Sequence, residues 1–184
     1  GINTIVGPSG VGKTTIIDLL LKIYEPESGN IIIDGIDISK ISKKNLRDSI
    51  SFLPQELLIM NTNIFENINL YEKSISKKNL IKELENINIE VSMPTSENIG
   101  YGGINLSGGQ KQKINILRTI LKDSDFIIFD EPTNNLDQDS ISTFIDQLNK
   151  IKGKKTILII THSNKLENIS DVVFELNEGK VYKK

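Results

Sequence analysis

Ile2-Asn3-Thr4-Ile5-Val6 followed by Gly7-Pro8-Ser9-Gly10-Val11-Gly12-Lys13-Thr14-Thr15 is a strand-like stretch running into a glycine-rich turn. Beyond the turn, Ile16, Ile17, Leu20 and Ile23 recur at helical spacing, which predicts a helix over Thr14 to Tyr24 that Pro26 ends. Gly7 to Thr14 fits the pattern G-x-x-x-x-G-K-[ST] between a strand and a helix. Each residue type has a reason to be there. Glycines let successive backbone N–H groups turn inward around phosphate oxygens where a side chain would collide. The helix start points its positive dipole end at the same anion. Lys13 can reach the β- and γ-phosphates as a point charge, and the Thr14 hydroxyl can ligate Mg²⁺.

Working outward, Asn30 to Ile38 reads as a hairpin of β-branched residues around Asp34-Gly35, and Ile50 to Leu53 as a strand stopped by Pro54. From about Asn61 to Lys122 strand signals give way to helical ones, over Ile64–Leu70, Lys77–Ile87 and Gly108–Leu121, with a Gly- and Asn-rich loop at Ser92–Asn105. Strand periodicity resumes at Phe126–Phe129, Thr156–Ile160 and Val172–Leu176, separated by helical stretches. Strands alternating with helices predict an α/β fold on a mainly parallel sheet, with a helical insert.

The bulk composition narrows the function classes. With 184 residues, 38% of them hydrophobic and 25% charged, the chain has the size and makeup of one globular domain. A formal net charge of −2 supplies no basic field, so no direct nucleic-acid partner is expected. The absence of cysteine excludes disulfides and thiolate metal sites. The longest apolar runs, such as Ile157-Leu158-Ile159-Ile160, are far short of the roughly 20 residues a bilayer span needs. No signal peptide is read, so any membrane link is expected to come through another domain or subunit.

Two further stretches carry chemistry. Phe126-Ile127-Ile128-Phe129-Asp130-Glu131 is an apolar strand ending in paired carboxylates, and ligand chemistry in parallel sheets sits at such strand ends. Asp130 would hold Mg²⁺ through water, and Glu131 could polarise a water for attack on the γ-phosphate. Leu106-Ser107-Gly108-Gly109-Gln110 opens a long helix. Ser107-x-x-Gln110 is itself a capping box, but a cap does not require two consecutive glycines, which weaken a helix. Bare backbone at a helix start is what a second phosphate-binding surface would use.

Leu-Ser-Gly-Gly-Gln at 106–110 resembles the signature of ABC (ATP-binding cassette) ATPases, and the other motifs stand in that family's order. Gln55 resembles the Q-loop glutamine, which touches Mg²⁺ and couples to a partner domain. Leu136-Asp137 resembles the D-loop, and His162, the single histidine, sits where the family's switch histidine follows a strand. The resemblance implies a P-loop NTPase fold: a mainly parallel sheet, a small antiparallel portion and an inserted helical subdomain. It places a RecA-like core at about 1–60 and 123–184 and the helical part at about 61–122.

For mechanism, the resemblance implies a head-to-tail homo- or heterodimer of two ATP-binding domains with two ATP molecules between them. Each ATP would be held by Gly7 to Thr15 of one protomer and by Ser107, Gly108, Gly109 and Gln110 of the other. Thr14, Gln55 and Asp130 would serve Mg²⁺, Glu131 and His162 catalysis, and Asp137 communication across the interface. Asn45-Leu46-Arg47, Gln55 and Asn63-Ile64-Phe65-Glu66-Asn67-Ile68 are similar to the exporter pattern, which implies a transmembrane domain as partner and the cytoplasmic face of the cell membrane as location. Glu131-Pro132-Thr133-Asn134-Asn135-Leu136-Asp137 is also similar to soluble translation-associated ABC factors acting on ribosomes, the alternative reading. Some positions depart from the exporter pattern: Tyr101 stands where an acidic residue is usual, Lys113 where arginine is common, and Leu117 and Thr119 where alanines are common. The family's adenine-stacking aromatic lies upstream of the phosphate loop. The chain is therefore expected to be an N-terminally truncated piece that binds nucleotide less tightly than an intact domain.

Overall fold

The computed structural model describes residues 1–70, 76–86 and 98–184. They form two compact units: Gly1–Phe52 with Ser124–Asp130 and Gly153–Lys184, and Leu53–Asp123 with Glu131–Lys152.

The first unit is built on a six-stranded sheet. Its strands are β1 (Ile2–Val6), β4 (Ile50–Leu53), β5 (Phe126–Asp130), β6 (Thr156–Ile160), β7 (Val172–Asn177) and β8 (Lys180–Lys183), in the order β4-β5-β6-β1-β7-β8. β5, β6, β1 and β7 run parallel, with Ile5 paired to Ile160 and Ile160 to Asp130. Strands sandwiched between layers must be apolar on both faces. Accordingly Ile127, Ile128 and Phe129 of β5 and Ile157 and Ile159 of β6 are fully buried. Fully burying one such side chain contributes about 1.5–3 kcal/mol. A separate two-stranded ribbon, β2 (Ile32–Ile33) and β3 (Ile36–Asp37), turns at Asp34 and Gly35, both at positive φ (49° and 78°), as a tight primed turn demands.

The first helix, α1 (Lys13–Leu20), stops short of the Tyr24 end expected from periodicity. Lys22 takes a left-handed φ of 52°, its N–H bonds to Leu19 O (3.1 Å) and that of Ile23 to Asp18 O (2.8 Å). That is a Schellman stop made without glycine. Its strain is offset by tethers: Lys22 Nζ donates to Ile41 O at 3.0 Å, and Arg47 Nε to Leu21 O at 3.0 Å. Arg47 sits on α2 (Lys43–Asp48), a short helix capped by Ser42 that the sequence reading did not single out. Also unanticipated was β8, which folds back antiparallel on β7 through Glu178-Gly179, both at positive φ. α7 (Asn164–Ile169) follows β6 and anchors Leu166 in the interior.

The second unit is helical: α3 (Ile64–Ile68), α4 (Lys77–Asn86), α5 (Gly108–Leu121) and α6 (Gln138–Ile151). Ile64, Leu80, Leu84, Ile99, Ile114 and Leu117 meet in its core. Ile116 of α5 and Leu136, Ser140 and Phe144 at the start of α6 line one small pocket. Part of the expected Ser92–Asn105 loop lies outside the described residues. The rest pairs Asn98 with Asn63 and makes a 3-10 turn at Tyr101–Gly103, where Tyr101 is 87% exposed. Among the described residues no helix is long and apolar enough to cross a membrane.

Candidate functional site

In the first unit the expected residues gather at the C-terminal ends of three neighbouring strands. β1 runs into the loop Gly7–Gly12, β6 into Thr161-His162, and β5 ends on Asp130, with β6 in the middle. The loop's shape needs its glycines. Gly10 and Gly12 sit at φ 78° and 108°, and a Cβ on Gly7 would run into Leu176 O. A Cβ built on Gly10 would meet nothing, so the space beside it is open. Gly12 caps α1 without a side-chain hydrogen bond, and the first intrahelical bond is Ile16 N to Gly12 O at 3.2 Å. The amides of Lys13, Thr14 and Thr15 therefore have no partner within the helix, the condition that suits a phosphate.

Lys13 is only 8% exposed, and its ammonium folds back over the loop. It donates to Gly7 O at 2.7 Å and Pro8 O at 2.9 Å and lies 3.3 Å from His162 Nε2. An ammonium has only donors, so this contact requires the lone pair on Nε2 and the proton on Nδ1. Thr161, fully buried, accepts from Ser163 N at 3.0 Å and fixes the turn that carries His162. Asp130 is 4% exposed; Pro8, Ser9, Thr14 and Thr15 are exposed around the loop, with Val11 half-buried. The cradle of open positive-φ glycines, uncapped amides and a converging lysine fits a nucleotide triphosphate. Among the described residues no group of three or more His, Cys, Asp or Glu could hold a metal ion alone. A hydroxyl plus one carboxylate is the donor set of a Mg²⁺ that keeps waters and takes phosphate oxygens.

In the second unit, α5 organises the remaining expected residues. Ser107 and Gln110 form the full capping box: Ser107 Oγ accepts from Gln110 N at 3.2 Å, and Gln110 Oε1 from Ser107 N at 2.8 Å. Gly109 has a structural duty as well as an anion-binding rationale. A Cβ on Gly109 would stand 3.1 Å from Asn135 O, whereas one on Gly108 would meet Asn135 Cβ at an ordinary 3.5 Å. Asp137 caps α6 by accepting from Ser140 N at 2.8 Å. The Ser140 backbone and side-chain hydrogen bonds, with a smaller contribution from Lys113, hold its carboxyl below the usual value. Glu131 stands at φ 49°, a conformation rare for a side-chain-bearing residue and concentrated at functional positions. Gln55 is exposed just after β4.

Sequence reading missed what supports these residues. Arg118, 5% exposed, donates to Asn67 O (2.6 Å), Leu58 O (2.9 Å), Asn115 Oδ1 (3.1 Å) and Asn67 Oδ1 (3.0 Å). Asn67, fully buried, closes the knot by bonding both N and O of Met60. The signal was available: the chain's two arginines, Arg47 and Arg118, among so many lysines, both serve where a planar fork can reach several carbonyls at once. Leu117 and Thr119, in place of the usual alanines, are absorbed in the interior, the Thr119 hydroxyl donating to Asn115 O at 2.8 Å.

Comparison with known proteins agrees with this arrangement. The family model for the ABC transporter matches residues 2–134. The chain is 33% identical over 185 residues to ABC transporter B family member 14 of Arabidopsis thaliana, covering 98% of this chain and 15% of that protein. It is 35% identical over 184 residues to the mitochondrial iron-sulfur clusters transporter ATM1 of Debaryomyces hansenii, covering 96% of this chain and 26% of that one. A solved structure of a bacterial Atm1-family ABC exporter with ATP bound matches with a TM-score of 0.92 at 30% identity, over 98% of this chain and 33% of the other. The chain thus spans a third or less of the length of these proteins. With the family model covering most of its residues, the mixed, mostly parallel sheet and its phosphate-type loop are those of an ATP-binding domain, and the chain belongs to the ABC transporter family.

Proposed function

We propose that this chain binds ATP with Mg²⁺ and hydrolyses it to drive an exporter, working as a head-to-tail dimer with a second ATP-binding domain and coupled to a transmembrane domain at the cytoplasmic face of a membrane. The observation that carries the reading is the gathering of the glycine loop, Lys13, His162 and Asp130 at three adjacent strand ends. Gly7 to Thr15 would wrap the phosphates with backbone N–H groups while Lys13 leaves its loop carbonyls for phosphate oxygens. Thr14, Asp130 and Gln55 would serve Mg²⁺, which supplies charge neutralisation when bound. Glu131 would orient and deprotonate the attacking water, and His162 would hold the γ-phosphate side of that arrangement.

Ser107, Gly108, Gly109 and Gln110 would face the ATP of the opposite protomer, and Asp137 would communicate between the two. Since one chain carries both half-sites, a homodimer would be complete, and a heterodimer would use the same surfaces. The soluble, ribosome-associated alternative finds no support in the relatives described above, which are transporters and exporters. The test is Glu131→Gln, measured for ATP binding, turnover and dimer lifetime. Binding should persist, turnover should fall by about 10²-fold or more, the scale of a lost general base, and the ATP-bound dimer should live longer. Near-normal turnover would refute the role given to Glu131.

A further inference from the structure

Glu131 holds a left-handed backbone at φ 49°, which a residue with a side chain keeps only when its surroundings impose it. Two turn hydrogen bonds close the segment that follows: Asn134 N to Glu131 O and Leu136 N to Thr133 O, each 3.2 Å. Inside the first of these turns lies Pro132, which has no N–H and a fixed φ, so its carbonyl is its sole backbone hydrogen-bonding handle. That handle is taken. Gln112 Nε2 donates to Pro132 O at 2.8 Å, with Gln112 only 2% exposed and Pro132 buried.

Gln112 lies on α5 one turn beyond the signature glycines, and the same helix face meets the segment again farther along. Gly109 packs against the Asn135 carbonyl, and the Lys113 charge acts on Asp137. Gln112 and Lys113 lie three and four positions beyond Gly109, and positions so spaced share a helix face, so that face of α5 meets residues 132–137 at three points, one of them at Gly109 and two a turn later. One of these points is a directed hydrogen bond, and it falls on the residue immediately after Glu131.

We infer that Gln112 is a positioning residue for Glu131: its buried carboxamide, by holding Pro132 O, fixes the strained backbone that aims the Glu131 carboxylate, so that the helix opened by the signature orients the catalytic glutamate of its own chain. This rests on the role proposed for Glu131 above. Gln112 itself contacts no nucleotide in this scheme; it acts through the Pro132 carbonyl. A glutamine is required because the position needs a neutral donor of that length. Methionine matches the shape and cannot donate, and an ionised glutamate matches the shape and opposes a carbonyl with negative charge.

The experiment compares Gln112→Met, Gln112→Glu and Glu131→Gln with the unaltered chain, reading ATP affinity, turnover with MgATP, melting temperature and amide hydrogen exchange across residues 131–137. Gln112→Met should speed exchange at Asn134 and Leu136 and lower kcat by about ten-fold or more, the scale of a misaimed catalytic group, with ATP affinity within about two-fold. Gln112→Glu should show the same loss near neutral pH, and its activity relative to the unaltered chain should recover as pH falls and the carboxyl regains a proton to donate. Unchanged exchange across 131–137, or a kcat that falls only in step with ATP affinity and melting temperature, overturns the inference. If Glu131→Gln turns over normally, the reading of Glu131 fails instead, and the exchange result still decides whether Gln112 holds the turn.

Discussion

Lys13 Nζ lies 3.3 Å from His162 Nε2, so the end of β6 meets the start of α1 over the glycine loop. The lysine keeps two stronger partners, the Gly7 and Pro8 carbonyls at 2.7 and 2.9 Å, and the histidine contact is the longest of the three. The two side chains should therefore separate in their effects. Lys13→Met removes a cation bonded to the loop's own carbonyls and should weaken ATP binding by about ten-fold or more, the usual worth of a charge-assisted hydrogen bond. His162→Ala should leave ATP affinity within about three-fold while turnover falls, because the loop's own anchors for Lys13 survive. Calorimetric titration of both variants, with turnover measured alongside, checks the separation; equal loss of affinity in the two would contradict it.

The two signature glycines should respond in opposite directions to alanine. Both open α5, where alanine is worth about 0.5–1 kcal/mol over glycine in a helix interior and somewhat less at its first turn. At Gly108 the new methyl would sit 3.5 Å from Asn135 Cβ, an ordinary contact, so Gly108→Ala should stabilise the chain slightly. At Gly109 it would stand 3.1 Å from the Asn135 carbonyl, whose residue is already in a left-handed conformation at φ 64° and fixed by the neighbouring turn bond. There the backbone has to move, and Gly109→Ala should lose stability despite its better helix propensity. Denaturant melts of the two variants give the signs directly.

Much of this was legible in sequence because the signals were local. Thr156–Ile160 and Gly108–Leu121 coincide with their predicted bounds, since an unbroken apolar run and a capped amphipathic pattern define themselves. The glycine-rich turn into α1 and the capping box depend on residues at most a few positions apart, and both take the local form expected of them. What escaped depends on partners distant along the chain. The end of α1 is a Schellman stop at Lys22, tethered by Arg47 some 26 residues from Leu21, rather than a stop at Pro26. The Arg118 knot reaches back 51 and 60 residues, to Asn67 and Leu58. The second duty of Gly109 needs Asn135 to be in place before it can be seen. Spacing within a motif reveals its chemistry, while the residues that hold the motif rigid are visible only once the chain has closed on itself.

Arg118 provides the largest expected stability effect. Its guanidinium satisfies the carbonyls of Asn67 and Leu58 and two side-chain oxygens from a site that is 5% exposed. Arg118→Met keeps the apolar stem but strips those acceptors of their donors, and a buried acceptor left unmade costs about 1–3 kcal/mol. A loss of roughly 3 kcal/mol or more is expected from the set. Arg118→Lys should recover little, because a point-like ammonium cannot spread over acceptors that the planar fork reaches together. Chemical denaturation of the two variants measures this, and a lysine variant as stable as the unaltered chain would show that charge rather than fork geometry holds the knot.

Asp137 supplies a pH signature. The hydrogen bonds from Ser140, backbone first and side chain second, favour its ionised form and hold its carboxyl below the ordinary 3.8. A group more acidic when folded contributes stability that is fully present above its unfolded value and fades as pH falls through the lowered folded value. Asp137→Ala removes that contribution together with the cap of α6, so the stability gap between it and the unaltered chain should be constant above about pH 5 and narrow under more acidic conditions. Asp137→Asn keeps an oxygen that accepts from Ser140 N and has no proton to gain, and it should hold its cap across the whole range. Its gap from Asp137→Ala should stay level with pH where that of the unaltered chain shrinks. Denaturation of the three proteins at a series of pH values reads this out, and a gap that widens toward acid for the unaltered chain would mean that Asp137 caps the helix in its protonated form.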